Sequence, residues 1–250
     1  VEIVAINELG SLESSIHLLS YDSVHGILPF NISKTKNGFK VGKNNIKFYS
    51  EKDPNKLPWK LLKVDIVLEC SGIFTSKDKA MGHINAGAKK VIISAPASDV
   101  DKTIVQGVNN NELTNKHNII SNGSCTTNCL APVLMVLDKY IGIEYGFMTT
   151  IHSYTGDQRT VDQNHKDLRR ARAAAISMIP TSTGAAKAIS LVIPKLKGRL
   201  DGTAIRVPTP NVSLIDFTFT SKKKTSKSKI NSLLLKESKS KKLKNILTIN

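Results

Sequence analysis

Ile119-Ile120-Ser121-Asn122-Gly123-Ser124-Cys125-Thr126-Thr127-Asn128-Cys129 runs from an apolar triplet through a small polar turn into two cysteines. The triplet reads as a strand. Cys125–Leu137 reads as a helix, with Leu130, Leu134 and Leu137 at core spacing. Cys125 therefore stands where a strand gives way to a helix. Free backbone N–H groups and the helix dipole favour a thiolate at such a start. The thiolate is the nucleophilic form of cysteine, so the position suits covalent catalysis. Two small buried thiols are the plainer reading, because cysteine often fills that role. Zinc fits poorly, since a C-x3-C pair without a second Cys/His pair lacks a ligand set. Cys70 follows an apolar strand and is expected to be buried.

Upstream, apolar strands alternate with helical or turn-rich segments. Glu2–Asn7, Val64–Leu68 and Val91–Ser94 read as strands, and Ser76–Ala86 as a helix between the last two. Buried strands joined through helices predict a parallel sheet. Asn44-Asn45 lies between Phe39–Val41 and Ile46–Tyr49, which predicts a small hairpin. Downstream the pattern changes. Gly146–Ile151, Ala204–Val207 and Val212–Phe219 read as strands, and Gly184–Val192 and Ile230–Lys236 as helices. Successive strands suggest a mainly antiparallel sheet with helices on one side. The chain is α/β, with a first domain over 1–124 and a second, α+β, over 125–250. Ser153–Pro180 is long, polar and rich in arginine, and a segment of that length is usually a functional loop.

Composition narrows the class. At 250 residues the chain can bury a core without staples. Hydrophobic residues at 40% and charged residues at 22% argue against wholesale disorder. Three cysteines exclude a disulfide-rich secreted scaffold and suit a reducing cytoplasmic setting. The longest uncharged stretch, Asn118–Leu137, holds seven Ser, Thr or Asn residues, which argues against a membrane span. The net charge of +16 invites a nucleic-acid reading. Ser221–Lys244 alone carries ten lysines against one acid, Glu237. That stretch has no aromatic residue to stack on bases, so it reads as solvated surface, with a polyanion site as the alternative.

Other residues could carry chemistry. His152 ends a strand and is either a satisfied core residue or the base for Cys125. Glu8 closes the first strand, where an acid in a dinucleotide-binding unit would bond the adenosine ribose. Arg170 lies in the polar loop with Arg169 and Arg172. Arg206 lies in the apolar strand Ala204–Val207, where a lone charge needs a partner. Thr183-Gly184 opens a helix, a natural phosphate seat.

Together these pieces resemble phosphorylating glyceraldehyde-3-phosphate dehydrogenases of bacterial type, over nearly the whole chain to about residue 220. The likeness rests on Asn7-Glu8, Tyr21–Gly26, Ser124–Cys129, Thr149–Thr155, Asp167–Arg172 and Ala204–Ser213. His-Ser-Tyr-Thr at 152–155 and Ile179–Ala186 favour glyceraldehyde 3-phosphate over erythrose 4-phosphate. The resemblance implies a Rossmann-like NAD-binding domain followed by a catalytic domain. It implies Cys125 as nucleophile and His152 as its base. Thr155 with Arg206 would hold the substrate phosphate. Ser124, Thr126, Thr183 and Gly184, with Arg170 reaching in, would hold inorganic phosphate. Glu8, Lys52 and Ser94 would contact NAD, and the assembly would be a cytoplasmic homotetramer. Erythrose-4-phosphate dehydrogenase is the alternative within the class. A catalytically idle basic protein binding nucleic acid is the alternative outside it.

Lys52 stands where arginine is common, Glu8 where aspartate is common and Gly123 where alanine is usual. The family's first strand and glycine-rich loop do not precede Val1, and its closing segments do not follow Asn250. The expectation is an incomplete chain that binds NAD weakly.

Overall fold

A computed structural model describes residues 1–250. β1 (Ala5–Asn7) leads to α1 (Leu12–Ser20), which Ser11 caps by accepting the Ser14 N–H at 3.1 Å. β2 (Tyr21–Asp22) and β3 (Gly26–Ile27) form a short hairpin. β4 (Ile32–Thr35), β5 (Gly38–Val41) and β6 (Asn44–Tyr49) form an antiparallel meander, and β6 lies parallel to β1. The expected hairpin is present, but Asn44 and Asn45 already pair with Val41 and Lys40. The turn is Gly42-Lys43, where Gly42 adopts the left-handed φ of +56°.

β7 (Ile66–Glu69), α2 (Lys77–Asn85), β8 (Lys90–Ile93), β9 (Lys102–Thr103) and β10 (Ile119–Ser121) make the parallel unit, in the order β7-β8-β10-β9. Val91, Ile93 and Ile119 are fully buried on the face that α2 covers, while Ile66 and Leu68 on the other face are exposed. The first half thus holds two separate four-stranded sheets, one mixed and one wholly parallel. Sequence reasoning merged them, because a short strand does not reveal which neighbour it pairs with.

α3 (Cys125–Tyr140) opens the second half and is followed by β11 (Ile143–Ser153), β12 (Ile179–Ser182), α4 (Ala185–Val192), β13 (Leu200–Val207), β14 (Ser213–Ser221) and α5 (Lys227–Ser238). The sheet order is β12-β13-β11-β14. The outer pairings are antiparallel and β11–β13 is parallel. Leu130, Leu134 and Leu137 meet Met148, Ile189 and Leu196 in one apolar core, joined by Val105 and Val108 from before Cys125. The lysine-rich stretch is folded: Ile230 and Leu233 of α5 pack on that core. Glu237 accepts from Lys139 at 2.8 Å and from the Tyr140 hydroxyl. No helix is long and apolar enough to cross a membrane.

Candidate active site

The strand-to-helix handover is built as the residue types demand. β10 ends at Ser121, whose hydroxyl donates to Ala95 O at 2.7 Å and accepts the Gly123 N–H at 3.0 Å. Gly123 has φ +68°, a left-handed conformation that costs a side-chain-bearing residue about 1–2 kcal/mol. Ser124 caps α3, accepting the Thr127 N–H at 3.0 Å. Cys125 is then the first helical residue, exposed at the helix start.

β11 supplies the partner. Cys125 Sγ lies 3.1 Å from His152 Nε2. On the other side of the ring, Nδ1 is 2.7 Å from Ser153 O. The shorter contact sets the tautomer: a carbonyl can only accept, so Nδ1 carries the proton and Nε2 is the acceptor facing the thiol, while Arg206 Nη1, a donor 3.1 Å from Nδ1, gives its hydrogen to the same carbonyl instead. Burial, with the Arg206 charge beside it, lowers the His152 pKa below its ordinary value, against the opposing bond to Ser153. The imidazole is therefore neutral at neutral pH, with Nε2 free to accept a proton.

Arg206 comes from β13, directly opposite His152 in the parallel register. Its Nη1 donates to Ser153 O at 2.9 Å and reaches the Thr155 hydroxyl at 3.4 Å. Its Nε is buried and has no protein partner. Burial and the nearby Arg170 lower its pKa, and Cys125 and Asp157 oppose them. Guanidinium stays charged throughout. A cavity of about 150 Å³ joins Cys125, His152 and Arg206 to Ser124, Thr126, Thr183 and Gly184. Thr150, two residues before His152 on the same strand face, lines it with a buried, unpartnered hydroxyl. Sequence reasoning passed over Thr150. Only strand alternation from His152 could have pointed to it.

Two expectations need correction. Arg170 does not line this cavity. Its Nη1 donates to Asp157 at 2.6 Å and its Nε to Thr181 Oγ1 at 3.0 Å, because the polar loop carries its own acids. Cys70 is exposed and not buried. It lies past the end of β7, an edge strand that leaves Ile66 and Leu68 exposed as well.

In the first sheet, Glu8 stands exposed just after β1 and its Oε1 accepts the Gly10 N–H at 3.2 Å. Asn7 holds the neighbouring turn: its side chain exchanges two hydrogen bonds with the Glu51 backbone, at 3.0 and 2.9 Å. Lys52 follows in that turn and is exposed, and Ser94 is exposed just past β8. All three lie at carboxyl ends of parallel strands, where open α/β sheets bind dinucleotides. The residues present therefore fit a dinucleotide.

A thiol aimed at a neutral imidazole, on a frame whose parallel strands offer a dinucleotide edge, defines a cysteine-dependent oxidoreductase of α/β architecture. Residues 1–77 match the model of the glyceraldehyde 3-phosphate dehydrogenase NAD-binding domain, and residues 124–250 that of the C-terminal domain. The glyceraldehyde-3-phosphate dehydrogenase of Xanthobacter flavus is 58% identical over 247 residues, spanning 99% of this chain and 73% of the relative. That of Zymomonas mobilis is 57% identical over 235 residues, 94% of this chain and 70% of the relative. That of Pseudomonas aeruginosa is 53% identical over 234 residues, 94% and 70%. The chain belongs to the glyceraldehyde-3-phosphate dehydrogenase family.

Proposed function

We propose that the protein oxidises D-glyceraldehyde 3-phosphate to 1,3-bisphosphoglycerate with NAD and inorganic phosphate, the phosphorylating oxidation of glycolysis. The observation that carries this reading is the 3.1 Å approach of Cys125 Sγ to the acceptor nitrogen of His152. His152 Nε2 takes the thiol proton, sulfur bonds to the aldehyde carbon, and the proton passes from Nε2 to the aldehyde oxygen to give a hemithioacetal. His152 then takes the hemithioacetal hydroxyl proton while hydride leaves that carbon, and a thioester remains on Cys125. NAD, when bound, supplies the hydride acceptor. A phosphate oxygen next attacks the thioester carbon, the C–S bond breaks, and the thiolate returns.

Arg206 and Thr155 hold the substrate phosphate in this scheme. The unpartnered Nε of Arg206 beside the nucleophile supports that assignment, because a buried donor calls for an acceptor. Ser124, Thr126, Thr183 and Gly184, which line the same cavity, hold the attacking phosphate. Arg170, tied to Asp157 outside the cavity, contributes only its charge, which Arg206 feels. Glu8 bonds the adenosine ribose and disfavours a 2′-phosphate, with Lys52 and Ser94 beside the cofactor.

We assign the working form to a homotetramer in the cytoplasm. Tyr145, Phe147 and Leu214 are exposed on the β12-β13-β11-β14 sheet, and Leu168, Ile176 and Met178 on the long loop. Exposed apolar residues grouped in this way suit further copies of the chain. Free cysteines agree with a reducing compartment.

NADH formation by the full-length protein, with glyceraldehyde 3-phosphate and erythrose 4-phosphate compared as substrates, tests the assignment. Higher kcat/KM for the triose, with an absolute requirement for phosphate in sustained turnover, is the expected result. Preference for the tetrose would move the protein to the sister activity.

A further inference from the structure

The side chain of Glu69 ends β7 and is buried, as is His83 of α2. An ion in that position carries a large desolvation penalty unless its lone pairs are met. Here Oε2 is 3.0 Å from His83 Nε2, and Oε1 accepts the Ser71 N–H at 2.8 Å together with the Ser71 hydroxyl. Behind His83, Trp59 Nε1 lies 3.0 Å from Nδ1. An indole N–H only donates, so Nδ1 accepts and the imidazole proton sits on Nε2, facing the carboxylate. The chain of bonds therefore has one direction, from Trp59 through His83 to Glu69. Residue 69 must accept on both oxygens. Glutamine, with one acceptor and one donor end, would lose either His83 or the Ser71 N–H.

The far end of this chain is a surface loop. Ser71, Gly72 and Ile73 are exposed. The loop's fixed points are the Glu69 bonds, a 3.1 Å bond from Ile73 N to Ser71 Oγ, and the edge of Phe74 against the His83 ring at 6.0 Å. Gly72 turns it with φ +73°. It leaves the carboxyl end of β7, the edge where a dinucleotide lies. β8 separates β7 from β10, which leads to Cys125. Val4 and Ala5 at β1 and Val67 of β7 pack on one apolar cluster, which joins the Glu8 strand to β7 although the two lie in separate sheets. A cofactor reaching from Glu8 to Cys125 crosses this loop.

We infer that Glu69 is a positioning residue for NAD: through the Trp59–His83–Glu69 chain it fixes the backbone of the Ser71–Ile73 loop against the cofactor. The inference rests on the NAD-dependent reading above. It assigns the buried charge to cofactor affinity and not to the chemical step.

Steady-state kinetics of the full-length protein with NAD varied, at saturating aldehyde and phosphate, test it through Glu69→Gln and Glu69→Asp. Losing one charge-assisted bond to the loop should raise KM for NAD roughly tenfold in Glu69→Gln. kcat and the KM for the aldehyde should stay within about twofold, since no bond to the reacting atoms is lost. Glu69→Asp, which keeps two acceptors, should recover part of the affinity. Ser71→Ala removes the hydroxyl anchor from an exposed residue and decides the matter if Glu69→Gln does not fold. It should raise KM for NAD severalfold and leave the emission of Trp59, the only tryptophan, unchanged. KM for NAD within about twofold of the parent in the folded variants would overturn the inference, as would an equal change in kcat and both KM values. Calorimetric titration with NAD reads the same loss of affinity without turnover. If the parent protein binds NAD but does not oxidise the aldehyde, the reaction assignment fails while the titration of the variants still decides the role of Glu69.

Discussion

Cys125 and His152 were each legible as residues, and their pairing was one of two readings of His152 that only the family resemblance favoured. They come from a helix start and a strand end, and only the docking of α3 on β11 brings sulfur and nitrogen to 3.1 Å. The pair makes Cys125 the expected site of alkylation. Cys129 lies one turn on, and partial desolvation, then the neighbouring Cys125 thiol, pushes its pKa up. Limiting iodoacetamide at neutral pH should label Cys125 ahead of Cys129 and Cys70, read by peptide mapping. Exposed Cys70 provides the internal control, because exposure without a base should not confer comparable speed. Preferential labelling of Cys70 would contradict the assigned base. Among the arginines, Arg206 stands out in the sequence by its apolar strand. Arg170 stands out only by loop composition, which cannot reveal that Asp157 already engages it. Arg206→Ala should therefore lower kcat/KM for the phosphorylated aldehyde roughly tenfold to a hundredfold, the worth of one charge-assisted contact. Arg170→Ala should act mainly on the phosphate requirement, and more weakly. Unchanged kinetics for Arg206→Ala would make its strand position structural.

Element by element, long periodic or strongly apolar segments read well. The strand over Ile119–Ser121 is where the sequence places it, and α2 is displaced only by its capping residues Ser76 and Ala86. α1 and the small hairpin after it were not read, although Leu12, Ile16 and Leu19 fall at helical spacing; in the structure Leu12–Ser20 buries no residue. β12 was hidden in the long loop by Pro180 and two hydroxyl residues. The parallel unit also has a tie that no pattern reveals. Asp101 Oδ2 accepts the Asn118 and Ile119 N–H groups at 2.7 and 2.9 Å, while Oδ1 takes Lys77 Nζ at 2.6 Å. Burial alone would raise its pKa, but the Ile119 N–H, Lys77 and the Asn118 N–H lower it to about 2. The unfolded value is about 3.9, so this group stabilises the fold fully above that pH, and the stabilisation is lost as pH falls through about 2. Asp101→Asn should cost ~2 kcal/mol at neutral pH in denaturant unfolding. It should also flatten the loss of stability between about pH 4 and 2, where the parent protonates. An unchanged midpoint at neutral pH would mean that the amide replaces all three bonds.

For the whole molecule, the order of elements foretold a parallel unit followed by a sheet with helices. It did not foretell that the Val105–Val108 segment would join the second core, since that contact is set by α3 folding back over it. We place the functional division near residue 124 nonetheless, because Gly123-Ser124 is the joint between the dinucleotide edge and the thiol. Central to the proposed mechanism is a thioester on Cys125 that phosphate releases. Mixing the full-length protein with glyceraldehyde 3-phosphate and NAD in the absence of phosphate isolates that step. A rapid burst of NADH stoichiometric with active chains, an acyl group found by mass spectrometry on the Cys125 peptide, and its discharge on adding phosphate are the predicted results. An acyl group on Cys129 or Cys70, or NADH release with no covalent species that phosphate discharges, would contradict the mechanism.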